Sequence, residues 1–186
     1  AVPGNRGTYE YEYDALGGVI KRRTPTSVTQ SATHLYLYDQ LGRQTEHDWL
    51  VSGQSPVMLS KQVWDSVTPP SGCSTPQNTA GRLSATIDPR GETLFSYDTE
   101  GRLLAETFSR STTTCSGTDA VLQTSYTYSG ATGLLTEIAY PHGRRVVYQY
   151  GTGGLWDRVS GIVTNTYGAS GWSNPPATVV VSNVKW

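Results

Sequence analysis

Three aspartates recur in the same setting along the chain, and recurring carboxylates are candidates for acid–base or metal chemistry. Each follows an aromatic residue and stands three positions before a glycine, in "YEYDALG", "YLYDQLG" and "FSYDTEG", as Asp14, Asp39 and Asp98. General acid–base catalysis needs carboxyl groups that face one cleft with shifted pKa values. Calcium loops of the EF-hand kind need a DxDxDG segment, and the sequence has none.

A turn explains this setting more simply than an active site does. An aspartate at the first position of a type I turn accepts a backbone N–H inside the turn, and a glycine three residues later supplies a positive φ. We therefore predict structural rather than catalytic roles for three pairs: Asp14 with Gly17, Asp39 with Gly42, and Asp98 with Gly101.

The other reactive residue types form no catalytic or metal-binding motif. His34 and His47 lie in or beside strand patterns, and His142 lies in a predicted turn. The segment "GTGG" precedes no helix, so it does not predict a phosphate-binding loop. The segment "GASGW" has the wrong spacing for a serine nucleophile elbow. Neither Cys73 nor Cys115 has a partner at zinc-ligand spacing. We predict no enzymatic activity, no cofactor and no metal ion.

The composition indicates a polar, turn-rich domain. The chain has 186 residues, of which 36% are hydrophobic, and Tyr outnumbers Phe by 12 to 2. Tyrosine buries its ring while its hydroxyl stays hydrated or bonded, which suits half-buried strands. A net charge of −1 does not favour nucleic acid binding, and no apolar run approaches the roughly 20 residues of a membrane span. The start, "AVPGNRGTYE", lacks a signal-peptide core and is expected to be a cut into a longer chain.

The aromatic residues before the aspartates belong to an internal repeat of strands. Period-two alternation predicts strands, for example in "TSYTYS" and "RRVVYQY". Each copy carries aromatics at two alternate positions, and Trp64 stands alone in the second position of its copy: Tyr11/Tyr13, Tyr36/Tyr38, Phe95/Tyr97, Tyr126/Tyr128 and Tyr148/Tyr150. The turn glycines of the six copies are Gly17, Gly42, Gly81, Gly101, Gly133 and Gly154.

Two kinds of turn alternate along this repeat. The segments "DPRG" (88–91) and "YPHG" (140–143) lie at the far ends of strands from the Asp–Gly turns. Because a six-residue strand spans roughly 20 Å, the two kinds of turn lie on opposite rims of a sheet. The predicted fold is all-β, an antiparallel meander of hairpins that forms a curved ribbon. We assign residues 9–162 to the repeat array and residues 163–186 to an irregular segment that ends in one further strand.

The segments "YEYDALGG", "YLYDQLGR" and "FSYDTEGRL", with "GRLSATIDPRG" between two copies, resemble the YD repeat, also named the Rhs (rearrangement hotspot) repeat. The resemblance implies a β-ribbon that spirals into a hollow shell, as in bacterial polymorphic toxins, the B and C components of Tc toxins, wall-associated proteins and teneurins. In the toxins the shell is a container for a C-terminal toxic domain. The family's aspartyl self-cleavage segment is missing, so we expect an internal slice of such a shell.

The aromatic stripe allows two interpretations. Cross-strand aromatic pairs stabilise a sheet by roughly 0.2–1 kcal/mol each, so packing is the first expectation for a stripe of strand period. We interpret Tyr13, Tyr38 and Tyr97 as structural repeat residues. Stacking against sugars is the alternative, and its candidate ligand-facing aromatics are Tyr9, Tyr11, Tyr36, Trp64 and Tyr126. The arginines after the turn glycines are predicted to pair locally with the turn acids: Arg43, Arg82 and Arg102.

The two cysteines lie in the two longest insertions, Cys73 in "PPSGCSTP" and Cys115 in "STTTCSGT". A disulfide and two free thiols are both compatible with such Ser- and Thr-rich segments. The repeat register places the two insertions at opposite rims, which weakens the case for a bridge.

Two functional hypotheses follow. The first is a non-catalytic structural segment of an Rhs-type toxin shell, which encapsulates and helps deliver a C-terminal toxic domain, in a bacterial protein that is secreted or displayed at the cell surface. Its partners would be the rest of the shell, the enclosed toxin domain and, through exposed sheet edges, another copy. The second is an extracellular adhesion module that binds carbohydrate or a cell surface. Neither involves nucleic acid or a membrane span.

Overall fold

The computed structural model describes residues 8–24, 32–115, 121–151, 157–165, 167–168, 171–172 and 178–182. Within these ranges the chain forms the following strands: β1 (Glu10–Tyr13), β2 (Val19–Arg23), β3 (Ala32–Tyr38), β4 (Gln44–Val51), β5 (Val57–Trp64), β6 (Leu83–Asp88), β7 (Gly91–Tyr97), β8 (Leu103–Ser109), β9 (Val121–Tyr128), β10 (Leu135–Ala139), β11 (Arg145–Tyr150), β12 (Val159–Thr164), β13 (Tyr167–Gly168), β14 (Gly171–Trp172) and β15 (Thr178–Val181). A 3-10 turn, Pro141–Gly143, joins β10 to β11.

Thirteen of these strands form one antiparallel sheet in which neighbours in sequence are neighbours in space. The order runs from β1 to β12 without a crossover, and β15 pairs with β12 at the far edge. Strands β13 and β14 pair only with each other. The predicted all-β antiparallel meander is therefore confirmed. The domain boundary after residue 162 stays a prediction. That position lies inside β12, where the sheet is continuous.

The turns lie on two rims, as the repeat predicts. The rim with the Asp–Gly turns, here the Asp–Gly rim, joins β1 to β2, β3 to β4 and β7 to β8. On the opposite rim, here the Pro–Gly rim, Asp88 pairs with Gly91 across the two residues Pro89 and Arg90. Because proline fixes φ and removes a donor, it fits this tight connection, where its N–H would have no partner in the sheet.

The strand register sorts the side chains onto two faces, because directly paired residues of antiparallel strands point to the same side. One face, here the aromatic face, carries rings along its whole width, with Tyr11, Tyr36, Phe95, Tyr126 and Tyr148 as its central members. The other face, here the polar face, carries mostly charged, small and aliphatic side chains, among them Glu12, Lys61, Leu94, Thr107 and Arg145.

Little of the sheet is deeply buried. Among the described residues the buried apolar side chains are Ala32, Ala85, Leu94 and Val163. A sheet normally buries one face against a second layer, whereas here most side chains on both faces are half-buried or exposed. Contacts between neighbouring strands within each face therefore carry most of the packing. No helix in the described part of the chain is long and apolar enough to cross a membrane.

Candidate functional site

The turn aspartates hold the hairpin ends of the Asp–Gly rim together. The Oδ1 atom of Asp39 accepts the N–H groups of Leu41 and Arg43, both at 2.9 Å, and the N–H of Gly42 donates to the Asp39 carbonyl at 3.0 Å. Asp14 accepts N–H groups at 2.9 and 2.8 Å in the same way, and so does Asp98. Each of these carboxylates is thus bonded within its own turn, which is the geometry that the predicted structural role requires.

The glycines of these turns adopt the left-handed conformation that the sequence pattern requires. Gly17, Gly42 and Gly101 have φ values of +88°, +75° and +87°. Nothing lies within 4 Å of a Cβ atom built on Gly42. On Gly101 such an atom would stand 2.5 Å from a guanidinium nitrogen of Arg82. At both positions the backbone conformation selects glycine, and at Gly101 a side chain would also have to displace the Arg82 guanidinium.

The third copy rebuilds its turn around a long insertion. Asp65 has a φ of +68°, and its Oδ1 accepts the N–H of Gly81 at 2.7 Å across the inserted residues. The Thr79 hydroxyl donates to the Asp65 carbonyl at 2.5 Å, and the Asp65 N–H donates to the Arg82 carbonyl at 2.9 Å. The chain thus leaves the turn after Asp65 and returns to the same turn at Thr79.

The second aromatic of each copy binds the backbone of the preceding copy. In each of five cases the ring's polar hydrogen is donated to the carbonyl two residues after the preceding turn glycine: Tyr38 to Val19 at 2.9 Å, Trp64 to Gln44 at 2.8 Å, Tyr97 to Leu83 at 2.9 Å, Tyr128 to Leu103 at 2.9 Å and Tyr150 to Leu135 at 2.7 Å. We call this set of bonds the rim ladder.

A recurring irregularity of the sheet provides the acceptors of the rim ladder. Every hairpin of the Asp–Gly rim shifts register at its second aromatic, for instance between Ser96 and Tyr97, which faces Leu103. A bulge adds one extra residue to a strand and disturbs the backbone hydrogen bonds beside it. The carbonyl that accepts the bond belongs to the residue just before this extra residue. This position needs a donor at the end of its ring, so Tyr or Trp occupies it. Phe95, in the first position, needs none.

The arginines after the turn glycines reinforce the rim ladder. The guanidinium of Arg43 lies 5.0 Å from the centre of the Trp64 ring, that of Arg82 lies 5.7 Å from Tyr97, and that of Arg102 lies 4.6 Å from Tyr128. Each of these rings belongs to the next copy. A cation over an aromatic face is attracted by the ring quadrupole, so each arginine links its own turn to the following one.

Two of the three arginines also form the local ion pairs expected from the sequence. Arg43 pairs with Asp39 at 2.7 Å, and Arg102 pairs with Asp98 at 2.6 Å. Arg43 reaches further, to Asp65 of the next copy at 2.7 Å. The guanidinium of Arg43 and the N–H of Gly81 lower the pKa of Asp65 below its usual value.

Arg82 departs from that expectation. Its guanidinium donates to the carbonyls of Asn78 and Ala80 at 2.8 and 3.5 Å, and within the described residues it has no ion pair with a carboxylate. Carbonyl groups of the inserted segment before Gly81 therefore accept the hydrogen bonds that a turn carboxylate accepts from Arg43 and Arg102.

The candidate ligand-facing aromatics do not converge on one site. Tyr11 on the edge strand and Tyr9 just before it are 46% and 56% exposed. The Tyr36 ring is stacked on His47 with 4.6 Å between centroids and 10° between planes, and Arg43 covers the Trp64 ring. Tyr126 is half-buried, and burial, with Glu106 nearby, raises the pKa of its hydroxyl. A sugar-binding role for these residues stays a prediction; of the five, Tyr9 and Tyr11 are exposed and the other three are half-buried.

A histidine-aromatic cluster on the aromatic face was not anticipated from the sequence. His34 Nδ1 and His47 Nε2 are 2.9 Å apart, and Trp49 meets His34 edge-on at 4.6 Å. Burial, and then the charge of Arg22, lower the pKa of both imidazoles. The described residues hold no group of three or more potential metal ligands. The period-two pairs His34/Tyr36 and His47/Trp49 were the available signal, but only strand pairing brings them together.

Cys73 and Cys115 form a disulfide with 5.2 Å between their Cα atoms. Of the two alternatives that the sequence left open, the structure contains the disulfide, although the two insertions start at opposite rims. The insertion that carries Cys73 does begin at the Asp–Gly rim, but it crosses the polar face to the other rim. There Ser71 forms a parallel bridge with Thr114.

The comparison with known proteins agrees with this geometry. Residues 78–113 match the RHS repeat family, and no curated protein sequence matches the chain significantly. The crystal structure of TcdB2-TccC3 without its hypervariable C-terminal region has a TM-score of 0.68 at 14% identity, over 98% of this chain and 9% of that one. TcdB2-TccC3 itself has a TM-score of 0.64 at 15% identity, over 88% and 8%. For TcdB2-TccC3-TEV the TM-score is 0.63 at 15% identity, over 90% and 9%.

These matches confirm the resemblance to the YD or RHS repeat that the sequence indicated. At such identities the solved structures establish a shared fold, and the family match places an RHS repeat around the third and fourth copies. The chain spans less than a tenth of the length of the TcdB2-TccC3 chains that it matches.

Proposed function

We propose that this chain is a non-catalytic wall segment of an Rhs-type toxin shell, which encloses a C-terminal toxic domain and helps deliver it. The observation that carries the proposal is the uninterrupted thirteen-stranded meander, which corresponds in fold to a small slice of the much longer TcdB2-TccC3 chain. Its partners are then the rest of the shell and the enclosed domain, with further copies of the ribbon as an added possibility at the sheet edges.

The side-chain chemistry supports a mechanical role. The turn carboxylates are bonded to their own turns, and the arginines that follow the glycines hold the next copy. The rim ladder links each hairpin to the one before it through a side chain and a backbone carbonyl. These links add in series along the ribbon, as neighbour interactions do in other repeat proteins. They resist the separation of strands, which is what a container wall requires.

The disulfide supports a location outside the reducing cytoplasm. Disulfides persist in oxidising compartments and in secreted or surface-exposed proteins, and Cys73 and Cys115 are joined here. We therefore place the protein in the secreted or surface-displayed class of bacterial proteins, as the family resemblance implies.

The experiment uses the complete parent protein that contains this segment. If the segment is a wall, the C-terminal domain resists a protease in the intact protein and becomes cleavable when the wall is weakened. Replacing both Tyr97 and Tyr128 by Phe removes two neighbouring bonds of the rim ladder without removing a ring. The matched control replaces Tyr36 by Phe, whose ring packs on His47.

Protection of the C-terminal domain in the unaltered protein, reduced in the ladder variant and retained in the control, is the expected result. Rapid cleavage of the C-terminal domain in the unaltered protein would contradict a closed container. Unchanged protection in the ladder variant would show that this segment does not close the wall.

A second candidate function rests on the edge strand. Tyr9, Tyr11 and Tyr13 are 56%, 46% and 58% exposed, which leaves their ring faces open to a sugar. An adhesion module would bind carbohydrate at this row. A glycan array with the isolated segment tests it, with a Tyr9→Ser/Tyr11→Ser variant as the control. Binding that this variant loses supports the adhesion function, and an array without signal rejects it.

A further inference from the structure

We infer that the Cys73–Cys115 disulfide is a redox latch. While the bond is intact, the inserted loop 66–78 lies across the polar face and covers Leu94 and Glu92 of β7. Reduction to two thiols releases the loop and uncovers these residues, and the sheet itself remains folded. The inference concerns this segment alone and does not depend on the proposed shell function.

The loop is structurally separate from the repeat that carries it. Its two ends are closed by the turn itself, because Asp65 accepts the N–H of Gly81 and Thr79 donates to the Asp65 carbonyl. The paired strands β5 and β6 also continue up to this turn, with Trp64 facing Leu83. Compact loops with adjoining ends of this kind are often functional. The intervening segment can therefore move without opening the hairpin.

The path of the loop follows β7 from one rim to the other. At the Asp–Gly rim the N–H of Gln77 donates to the Ser96 hydroxyl at 3.3 Å, and the N–H of Tyr97 donates to the Gln77 carbonyl at 3.0 Å. At the Pro–Gly rim Ser71 exchanges backbone hydrogen bonds with Thr113 and Cys115 at 2.9 and 2.7 Å. Between these anchors, the side chains of β7 on the polar face are those of Leu94 and Glu92.

The most buried part of the polar face lies between these anchors. Leu94 is 2% exposed, its partner Ala85 is 0% exposed, and Glu92 is 4% exposed. Elsewhere on this face Asp48 and Val163 are also buried, at 8% and 7%, but their partners Leu35 and Val147 are only half-buried. Burial raises the pKa of the Glu92 carboxyl. We attribute the burial of an acid and a leucine at alternate positions of β7 to the loop that crosses them.

The disulfide is the strongest attachment at the tip of the loop. Among the described residues, the other hydrogen bonds to the neighbouring segment are the two backbone contacts of Ser71; Pro70 is buried, and most other loop residues are exposed. The two segments approach so closely that a Cβ atom on Gly72 would lie 3.2 Å from the Cys115 carbonyl oxygen. A cross-link restricts the freedom of the segment that it closes. Without the cross-link, these few contacts must hold the tip of the loop, and segments with few contacts open readily.

The reaction needs a dithiol reductant as its co-reactant. A thiolate of the reductant attacks one sulfur and displaces the other as a thiolate, and the reductant's second thiol then resolves the mixed disulfide. The protein gains two electrons and two protons, and the reductant becomes a cyclic disulfide. A cavity of about 270 Å³ beside the bond gives a small reductant room to approach; its lining includes Ser74, Thr107, Val121 and Gln123.

The test compares the oxidised protein with a Cys73→Ser/Cys115→Ser variant, which reproduces the released state without a reductant. Hydroxyl-radical footprinting reports the exposure of leucine side chains. We expect oxidation of Leu94 to rise several-fold in the variant. Leu104, on the other face and already 36% exposed, serves as the internal control and is expected to stay unchanged.

Hydrogen exchange supplies the second readout. In the unaltered protein, a dithiol should accelerate exchange in loop 66–78 by at least about tenfold and leave β3 and β4 unchanged. The same dithiol should have no effect on the double variant. Unchanged Leu94 oxidation together with unchanged loop exchange would overturn the latch. So would a loss of protection across all strands, because the bond would then hold the whole sheet rather than the loop.

Discussion

Removal of a single hydroxyl group tests whether the rim ladder couples neighbouring copies. Tyr97→Phe deletes the donor that binds the Leu83 carbonyl at 2.9 Å. The ring stays in place, and so does the Arg82 guanidinium above it. The substitution therefore isolates one bond between the third and fourth copies and leaves the packing of the aromatic face unchanged.

The expected loss follows from the environment of that bond. A hydrogen bond in a folded protein contributes about 1 kcal/mol net, and a buried acceptor left without a partner adds up to about 1–3 kcal/mol. The Tyr97 hydroxyl is partly buried, and burial raises its pKa, so only part of the second amount applies. We expect unfolding to become easier by about 1–2 kcal/mol. For a chain of this size this lowers the melting temperature by roughly 2–8 °C.

The assay is urea denaturation of the 186-residue chain, followed by circular dichroism and tryptophan fluorescence. Coincident transitions by the two probes establish that a single free energy of unfolding describes the data. The control is Tyr36→Phe, because the Tyr36 hydroxyl has no hydrogen bond within the described part of the chain. We expect the control to lose less than about 0.5 kcal/mol.

Equal losses in Tyr97→Phe and Tyr36→Phe would refute the coupling role, because the position of the hydroxyl would then be irrelevant. A Tyr97→Phe protein with unchanged stability would refute it too. Tyr128→Phe should repeat the effect, since its hydroxyl binds Leu103 in the same geometry.

Three further predictions concern the arginines, the turn glycines and the histidine cluster. Arg43→Ala removes contacts with Asp39, Asp65 and the Trp64 ring. It should lower the urea midpoint several-fold more than the control Arg90→Ala, because the Arg90 side chain is 85% exposed and pairs with nearby Asp88. Equal shifts in the two variants would contradict a linking role for Arg43. Gly42→Ala should cost about 1–2 kcal/mol because φ is +75°, and Gly42→Asn should cost less; thermal melts of both variants decide this. The His34 and His47 pKa values lie below 6.5 in the folded state, so the unfolded chain binds more protons and stability should fall as the pH drops below about 6.5. His47→Gln should flatten that dependence between pH 7.5 and 5.5 in urea titrations, and an unchanged slope would exclude the cluster as its source.

The repeat pattern was readable because its determinants are local. An aspartate followed three residues later by a glycine encodes one turn by itself, and alternate aromatics encode one face of one strand. This reasoning located the turn glycine of the third copy at Gly81, although a long insertion separates it from Asp65. The structure closes that turn with the Asp65 carboxylate and the Gly81 N–H.

The contacts between copies could not be predicted from the sequence in the same way. The bond from Tyr97 to the Leu83 carbonyl depends on a bulge in the hairpin between β5 and β6. Residue types alone do not predict which carbonyl a bulge leaves free to accept a hydrogen bond. The arginines were expected to pair locally with the turn acids, and all three also cover a ring of the next copy. The disulfide was disfavoured because the two insertions start at opposite rims, and the crossing of loop 66–78 removed that objection.

The sequence by itself determined the succession of strands and turns, the two rims and the shared face of the aromatic residues, because these depend on backbone preferences within a few residues of the chain. Only the tertiary structure decided which groups meet across copies: the rim ladder, the His34–His47 contact and the bridge between Cys73 and Cys115. The groups that meet lie 13 to 42 residues apart, and a shift of one residue in register would turn each side chain of a strand to the opposite face. Such contacts are set by strand pairing and loop path, which no short segment specifies alone.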